Sequence, residues 1–317
     1  MLQNNNATEY MSTQVAEEGL TLSSSTTSKK TFVIPQKLIY YGLGATMVIL
    51  LAVLFIFNIS TVMTSVKEGV MNGEFFLYIL VGFLAQTIDG ALGMAYGISS
   101  TTFLMSMGVS PASASASVHI AEVFTSGASG LSHLKFKNVN KKLFKSLVIP
   151  GVLGAILGAY ILTSIDGKMI KPFISAYLLF MGAVIIAKAL KKKTPKKKTK
   201  NIGILAAFGG FVDSIGGGGW GPVVASTLIG NGRDARYTIG SVNLAEFFIA
   251  LAGAGTFTIM MGVNNFIITL GLLIGGVIAA PFAAWICNKI NTKVLMIMVG
   301  VLIILLSFRT IIMFFYK

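Results

Sequence analysis

Apolar stretches close to the roughly 20 residues needed to cross a bilayer recur from Leu38 to Lys317 with only short gaps. That pattern leaves few folds open. In hydrocarbon, every backbone N–H and C=O must be bonded within the protein, which restricts spanning segments to helices and closed barrels. Stretches this long are the helical kind. Only 11% of the 317 residues are charged and 54% are hydrophobic, whereas a soluble domain carries roughly a quarter charged residues. No water-soluble surface can be built from that composition, and an all-α integral membrane protein is expected.

The net charge of +14 does not point to a nucleic-acid partner. The lysines sit in blocks between apolar segments, densest from Lys191 to Lys200, as loop charges that set membrane topology do. Residues 1–37 are polar, rich in Ser, Thr and Asn, and without apolar periodicity, so a disordered tail is expected. The apolar segment 38–59 starts too deep in the chain for a cleavable signal peptide and reads as an extra, retained N-terminal helix. The single cysteine, Cys287, lies in an apolar segment with no partner for a disulfide.

A shift of 124 residues lays the chain on itself. Phe83-Leu-Ala-Gln-Thr-Ile-Asp89 meets Ala207-Phe-Gly-Gly-Phe-Val-Asp213 without a gap, Gly93 meets Gly217, and Tyr96-Gly97 meets Trp220-Gly221. Further on, Val118-His-Ile-Ala-Glu122-Val-Phe124 meets Val242-Asn-Leu-Ala-Glu246-Phe-Phe248. Composition bias aligns Gly and Ala; it does not align an Asp, an aromatic-Gly pair and a Glu in one register. Two repeats follow, 75–190 and 201–317, joined by the basic linker 191–200 that is expected on the cytoplasmic side. Each holds a Gly-rich interrupted segment (75–107 and 202–230) followed by three apolar helices, near 112–133, 144–165 and 170–190 in the first and 235–256, 266–287 and 294–315 in the second.

If each interrupted segment enters and leaves on the same side, the second repeat is inverted relative to the first. Only Lys67, Lys168, Lys171, Arg309 and Lys317 then fall outside, as the positive-inside rule favours. A single crossing by each interrupted segment would make the repeats parallel and place more basic residues outside. The inverted arrangement is therefore expected. Inverted repeats with interrupted helices are a recurrent transporter design, with substrate held between the repeats near mid-membrane.

The interrupted segments carry the first candidate residues. Asp89-Gly-Ala-Leu-Gly93-Met-Ala-Tyr96-Gly97 and Asp213-Ser-Ile-Gly216-Gly217-Gly218-Gly219-Trp220-Gly221 each set an acid before a glycine-rich stretch. Four consecutive glycines destabilise a helix by about 1 kcal/mol each relative to Ala. A half-helix starting after such a break points free N–H groups, and partial positive charge, at an anion. The same glycines could instead serve tight helix crossing, and Asp89 and Asp213 could be caps or ion-binding carboxylates. Ser99, Ser100, Thr101 and Thr102 after the first break, and Ser226 and Thr227 after the second, offer hydroxyls to a ligand or back to their own helices.

Glu122 and Glu246 each sit in mid-helix in an otherwise uncharged segment, where a charge costs about 2.5–3.5 kcal/mol or more. His119 and Asn243 lie three residues before them on the same helical face. Each pair is either a hydrogen-bonded structural pair or a proton site, with Glu122 or Glu246 taking a proton together with the substrate. His133 reads as a membrane-surface residue. No Lys or Arg is placed mid-span by this reading, so positive potential would come from backbone dipoles alone.

The two glycine-rich, Asp-containing segments, Gly82–Gly97 and Gly209–Gly221, and the Val-Asn243-Leu-Ala-Glu246 segment resemble the TauE/SafE sulfite-exporter family, also called the toluene-sulfonate uptake permease group, over about 75–317. The resemblance implies movement of sulfite, sulfonates, sulfoacetate or related small anions across the cytoplasmic membrane without ATP and without a cofactor. The first copy departs from the second in having Ala-Leu-Gly-Met-Ala in place of the glycine run. An anion channel built from the same loops is the nearest alternative. An intramembrane aspartyl protease is disfavoured because neither Asp lies in a Gly-x-Gly-Asp setting, and neither a Walker A sequence nor a His-Glu-x-x-His zinc motif is present.

Overall fold

The computed structural model describes residues 59–92, 94–190, 199–262, 266–287 and 292–316. The expected tail and extra helix over 1–58 and nearly all of the 191–200 linker lie outside the described residues, as does Gly93. Every regular element among the described residues is helical.

Among the described residues the first helix is α1 (Ile59–Met71), in the stretch between the expected helix 38–59 and the expected repeat 75–190. It stops at Asn72-Gly73, where Gly73 takes φ +75 and donates to the Val70 carbonyl at 3.2 Å. The stretch expected to form the first repeat then runs as α2 (Glu74–Leu92), a break, α3 (Tyr96–Ser106), α4 (Pro111–Lys135), α5 (Lys141–Ser164) and α6 (Gly167–Leu190). The second runs as α7 (Ile202–Gly216), a break, a wide π-type turn over Gly221–Ala225 leading into α8 (Ser226–Gly230), then α9 (Ala235–Met261), α10 (Phe266–Cys287) and α11 (Thr292–Phe315). Side-chain caps start two of the long helices: Asn140 accepts from the Leu143 N–H at 3.0 Å and Asp234 from the Tyr237 N–H at 3.1 Å.

The helices pair across the repeats. α2 packs on α10, and its equivalent α7 packs on α5; α4 packs on its own equivalent α9, and α6 on α11. Glycines at the seams explain the closeness. A Cβ on Gly154 or Gly158 of α5 would strike the α7 backbone at Ala207 or Phe211, and one on Gly275 of α10 would strike Ile79 of α2. Without a hydrophobic drive between helices in lipid, such backbone approach is the main source of association. The contacts give chain directions: Tyr78 meets Gly271 and Gln86 meets Gly276, so α2 and α10 run parallel. Ala207 meets Gly154 and Ser214 meets Gly158, so α7 and α5 also run parallel. His119 meets Gly253 and Gly130 meets Leu244, so α4 and α9 run antiparallel.

Polarity runs opposite to that of a soluble domain. Large apolar side chains such as Ile149, Phe173, Phe180, Ile204 and Ile259 are exposed, while Ser100, Thr101, Ser115, His119, Glu122, Asp213 and Ser214 are buried. That is the distribution of a chain whose outer solvent is lipid. α5, α6, α9 and Lys293–Phe315 of α11 are long and apolar enough to cross a membrane. The protein is an all-α, multi-pass membrane protein.

Candidate functional site

Each break is organised by its aspartate. Asp89, in the last turn of α2, accepts through Oδ1 from the N–H groups of Ala95 at 2.9 Å and Tyr96 at 3.3 Å. Asp213, in the last turn of α7, accepts through Oδ1 from Gly219 at 2.7 Å and Trp220 at 2.8 Å. These are the same bonds in the two copies, at offsets of six and seven residues. A half-helix has N-terminal N–H groups with no partner of their own, and here a carboxylate on the preceding helix reaches across the gap to take two of them. The partial positive charge at each break is thus already met by an acid of the chain.

The two breaks touch each other. Gly217 and Gly218 take φ +63 and +156, backbone that L side chains rarely adopt, and the Gly218 N–H closes back on the Asp213 carbonyl at 2.9 Å. A Cβ on Gly97 would lie 2.8 Å from the Gly218 Cα, so the backbones of the two copies are in contact there. Thr101 donates its hydroxyl to the Gly217 carbonyl at 2.6 Å. The Gly218 carbonyl has no helical donor four residues on, because Pro222 lacks an N–H; the Tyr177 hydroxyl donates to it instead at 3.0 Å. Trp220 is fully buried and donates its indole N–H to the Val242 carbonyl at 3.2 Å, whereas its counterpart Tyr96 donates its hydroxyl to Leu272 at 3.4 Å.

Beside this junction lies a buried polar cluster from α4 and α7. Ser115 donates to the Ser214 carbonyl at 2.6 Å. His119 Nδ1 stands 2.9 Å from the Ser115 carbonyl; a carbonyl only accepts, so Nδ1 donates to it and Nε2 is the ring nitrogen left for other partners. Nε2 faces Asp213 Oδ2 at 3.4 Å and the Ser214 hydroxyl at 3.3 Å. Phe257 of α9 holds the ring edge-on, with centroids 5.6 Å apart. Glu122 completes the group, for one ligand atom each of His119, Glu122 and Asp213 lies within 4.8 Å of the others. The three residues are 0%, 4% and 2% exposed, and neither Glu122 Oε2 nor Asp213 Oδ2 accepts a hydrogen bond. Asp89 and Glu246 are near enough to act electrostatically on this set.

The structure brings together Asp89, Tyr96, Gly97, His119, Glu122, Asp213, Gly216, Gly217, Gly218, Gly219 and Trp220 around the two breaks. Asn243 does something else: it donates to Ser129 of α4 at 2.8 Å, a bond between helices. Glu246, one turn on, is only partly buried. Of the hydroxyls, Thr102 bonds its own helix through the Ile98 carbonyl at 2.6 Å, while Ser99 and Ser100 are buried without a partner. His133, half-buried at the end of α4, lies 3.4 Å from Asn138 Nδ2.

One expectation is corrected. Lys188, counted among the loop charges, reaches from α6 into the return arm of the second interrupted segment, where it donates to the Pro222 carbonyl at 2.5 Å and bonds Ser226. Positive charge at the interrupted segments therefore does not come from backbone dipoles alone. A lysine stem is long enough to carry the ammonium inward from a helix end. Arg309 of α11 meets the first copy's return arm at its far end instead, donating to the Ser106 carbonyl at the end of α3 at 2.7 Å. Sequence reading also missed Ser115, Tyr177 and Ser214. Ser115 was within reach, four residues before His119 on one helical face; Tyr177 and Lys188 act across the repeats and leave no local signal.

A helical, membrane-embedded protein whose paired chain breaks meet over buried carboxylates is built as a membrane transporter. The sequence profile of the family described as "Sulfite exporter TauE/SafE" matches residues 78–310, and the chain belongs to this family. A similar protein is the "Probable membrane transporter protein YtnM" of Bacillus subtilis (strain 168), 42% identical over 246 residues, covering 74% of this chain and 82% of the relative. No solved structure matches the chain.

Proposed function

We propose that the protein is a secondary transporter that moves a small sulfur- or carbon-containing anion, of the sulfite, sulfonate or sulfoacetate type, across the cytoplasmic membrane with a proton. The observation that carries this reading is the meeting of the two breaks at Gly97 and Gly218 beside buried polar groups. The bare hydroxyls of Ser99 and Ser100 at the start of α3 are suitable donors for substrate oxygens, since a buried hydroxyl without a partner calls for one. The proton is assigned to Glu246, the less buried of the two mid-helix glutamates, within electrostatic reach of Asp89 and Asp213. Protonation there removes one negative charge as the anion arrives.

Alternating access follows if the copies are inverted in the membrane. Chain direction supports this: with α2 parallel to α10 and α4 antiparallel to α9, residues 73, 110 and 262 gather at one end of the bundle. By the same contacts and the Arg236–Asn138 bond, residues 138, 201 and 234 gather at the other. Single cysteines at 110 and 262, in a Cys287→Ala background, should react with an impermeant thiol reagent added outside intact cells, and those at 140 and 234 should not. Labelling of 110 and 234 from the same side would overturn the inversion.

In proteoliposomes, an inward or outward proton gradient should drive saturable flux of sulfite or an organosulfonate. Glu246→Gln should lose most of this stimulation, roughly tenfold or more, while substrate counterflow at equal pH continues. Flux with the parent's pH dependence in that variant would remove Glu246 from the coupling.

A further inference from the structure

The geometry points to a binding site for a divalent first-row transition-metal ion, of the zinc type, formed by His119 Nε2, Glu122 and Asp213. Three acceptors converge there. His119 has its Nδ1–H committed to the Ser115 carbonyl, so in the neutral ring Nε2 carries the lone pair, and it stands 3.4 Å from Asp213 Oδ2. Glu122 Oε2 and Asp213 Oδ2 are buried and accept nothing. The Ser214 hydroxyl stands at the rim of this group, 3.3 Å from Nε2. Lone pairs brought this close in a buried place repel unless a positive species sits among them.

The surroundings select a metal of borderline softness. Metal–nitrogen and metal–oxygen bonds of about 2.0–2.1 Å set the edge of a tetrahedral site at roughly 3.4 Å, which is the separation of Nε2 and Oδ2. A hard cation such as Na⁺ or Ca²⁺ takes oxygen ligands, backbone carbonyls among them. Here the neighbouring carbonyls of Ser214, Gly217 and Gly218 are already engaged by Ser115, Thr101 and Tyr177, and the remaining donor is an imidazole, which favours zinc, cobalt or nickel. The Nδ1–H bond to a backbone carbonyl is the outer support that histidine ligands carry in metal sites. Asp213 in turn is held by Gly219 and Trp220 through its other oxygen. Two carboxylates balance the 2+ charge, and three protein ligands leave a coordination position open. That a transported anion takes this position rests on the transport reading above; the metal site itself does not.

The test uses untagged, full-length protein in detergent, stripped with a chelator and titrated with Co²⁺ by calorimetry and visible absorption. One Co²⁺ per chain is expected, with ligand-field bands that saturate at one equivalent and are displaced by Zn²⁺. X-ray absorption of the Zn²⁺-loaded parent should show only N/O neighbours at about 2.0–2.1 Å. His119→Gln, Glu122→Gln and Asp213→Asn should each weaken binding about 100-fold or more, since loss of an outer-shell partner alone costs 10–100-fold. His133→Ala should stay within twofold, and size-exclusion profiles would show that each variant is folded. A parent without saturable binding, or binding that survives all three substitutions, overturns the site and leaves a proton between His119 and Asp213 in its place. Saturable anion flux by a protein that binds no metal would sink the metal site and leave the transport reading standing. Stoichiometric metal binding without anion flux would do the reverse.

Discussion

A Gly218→Ala variant is expected to be nearly absent from membranes, with any folded fraction melting far below the parent. Its Cβ would strike the backbone of Gly97 and Ile98 in the other copy, and backbone at a crossing of two chain breaks has no rotamer by which to yield. The residue also holds φ +156, a strain of about 1–3 kcal/mol for an L side chain, to which overpacking adds about 1–3 kcal/mol. Together these come to about 2–6 kcal/mol, which at its upper end matches the lower end of an ordinary domain's stability, about 5 kcal/mol. Gly255→Ala is the matched comparison: a Cβ there meets nothing within 4 Å, and Ala in mid-helix is favoured by about 1 kcal/mol. Melting in detergent, followed by size-exclusion after heating, separates the two. If Gly218→Ala melted with Gly255→Ala, the two breaks would not be in contact.

Asp213→Ala should cost about 2–6 kcal/mol, because it strands the N–H groups of Gly219 and Trp220 in a buried place at about 1–3 kcal/mol each. Asp213→Asn keeps an acceptor at Oδ1 and should retain most of the stability while losing the charge facing His119. The split between these two substitutions distinguishes a cap from a carboxylate whose role is charge alone. If Ala and Asn were equally stable, the cap would carry no weight; if both were equally unstable, the charge rather than the acceptor would hold the break. The partly buried Asp89 should follow the same order with a smaller gap, since its second bond, at 3.3 Å, is longer.

Much of this architecture is legible in the chain because it follows from local rules. Apolar length requires helices, four glycines in a row end one at Gly216, and a shift of 124 residues aligns the parts of the two copies. The aspartates could be set at the breaks but not given a role. The usual cap stands immediately before its helix, whereas Asp89 and Asp213 reach six and seven residues forward across a gap, a geometry that only the folded break defines. The π-type turn after Trp220 and the lysine that bonds to it were equally out of reach, because Lys188 meets Pro222 only when the first copy's last helix lies against the second copy's return arm.

The same division holds at the candidate site. Spacing alone puts His119 and Glu122 on one face of α4, and the cost of a mid-membrane charge marks Glu122 and Glu246 as residues that need a reason. Locally the two glutamates differ in the residue one turn before, His119 or Asn243, but that difference alone does not give them different roles. Packing does so: Glu122 faces His119 and, from the other copy, Asp213, while Asn243 beside Glu246 is spent on Ser129. A repeat determines that two copies exist and which residues correspond. Which of those correspondences stay equal depends on contacts between residues some hundred positions apart, and these come into being only when the two copies close on each other.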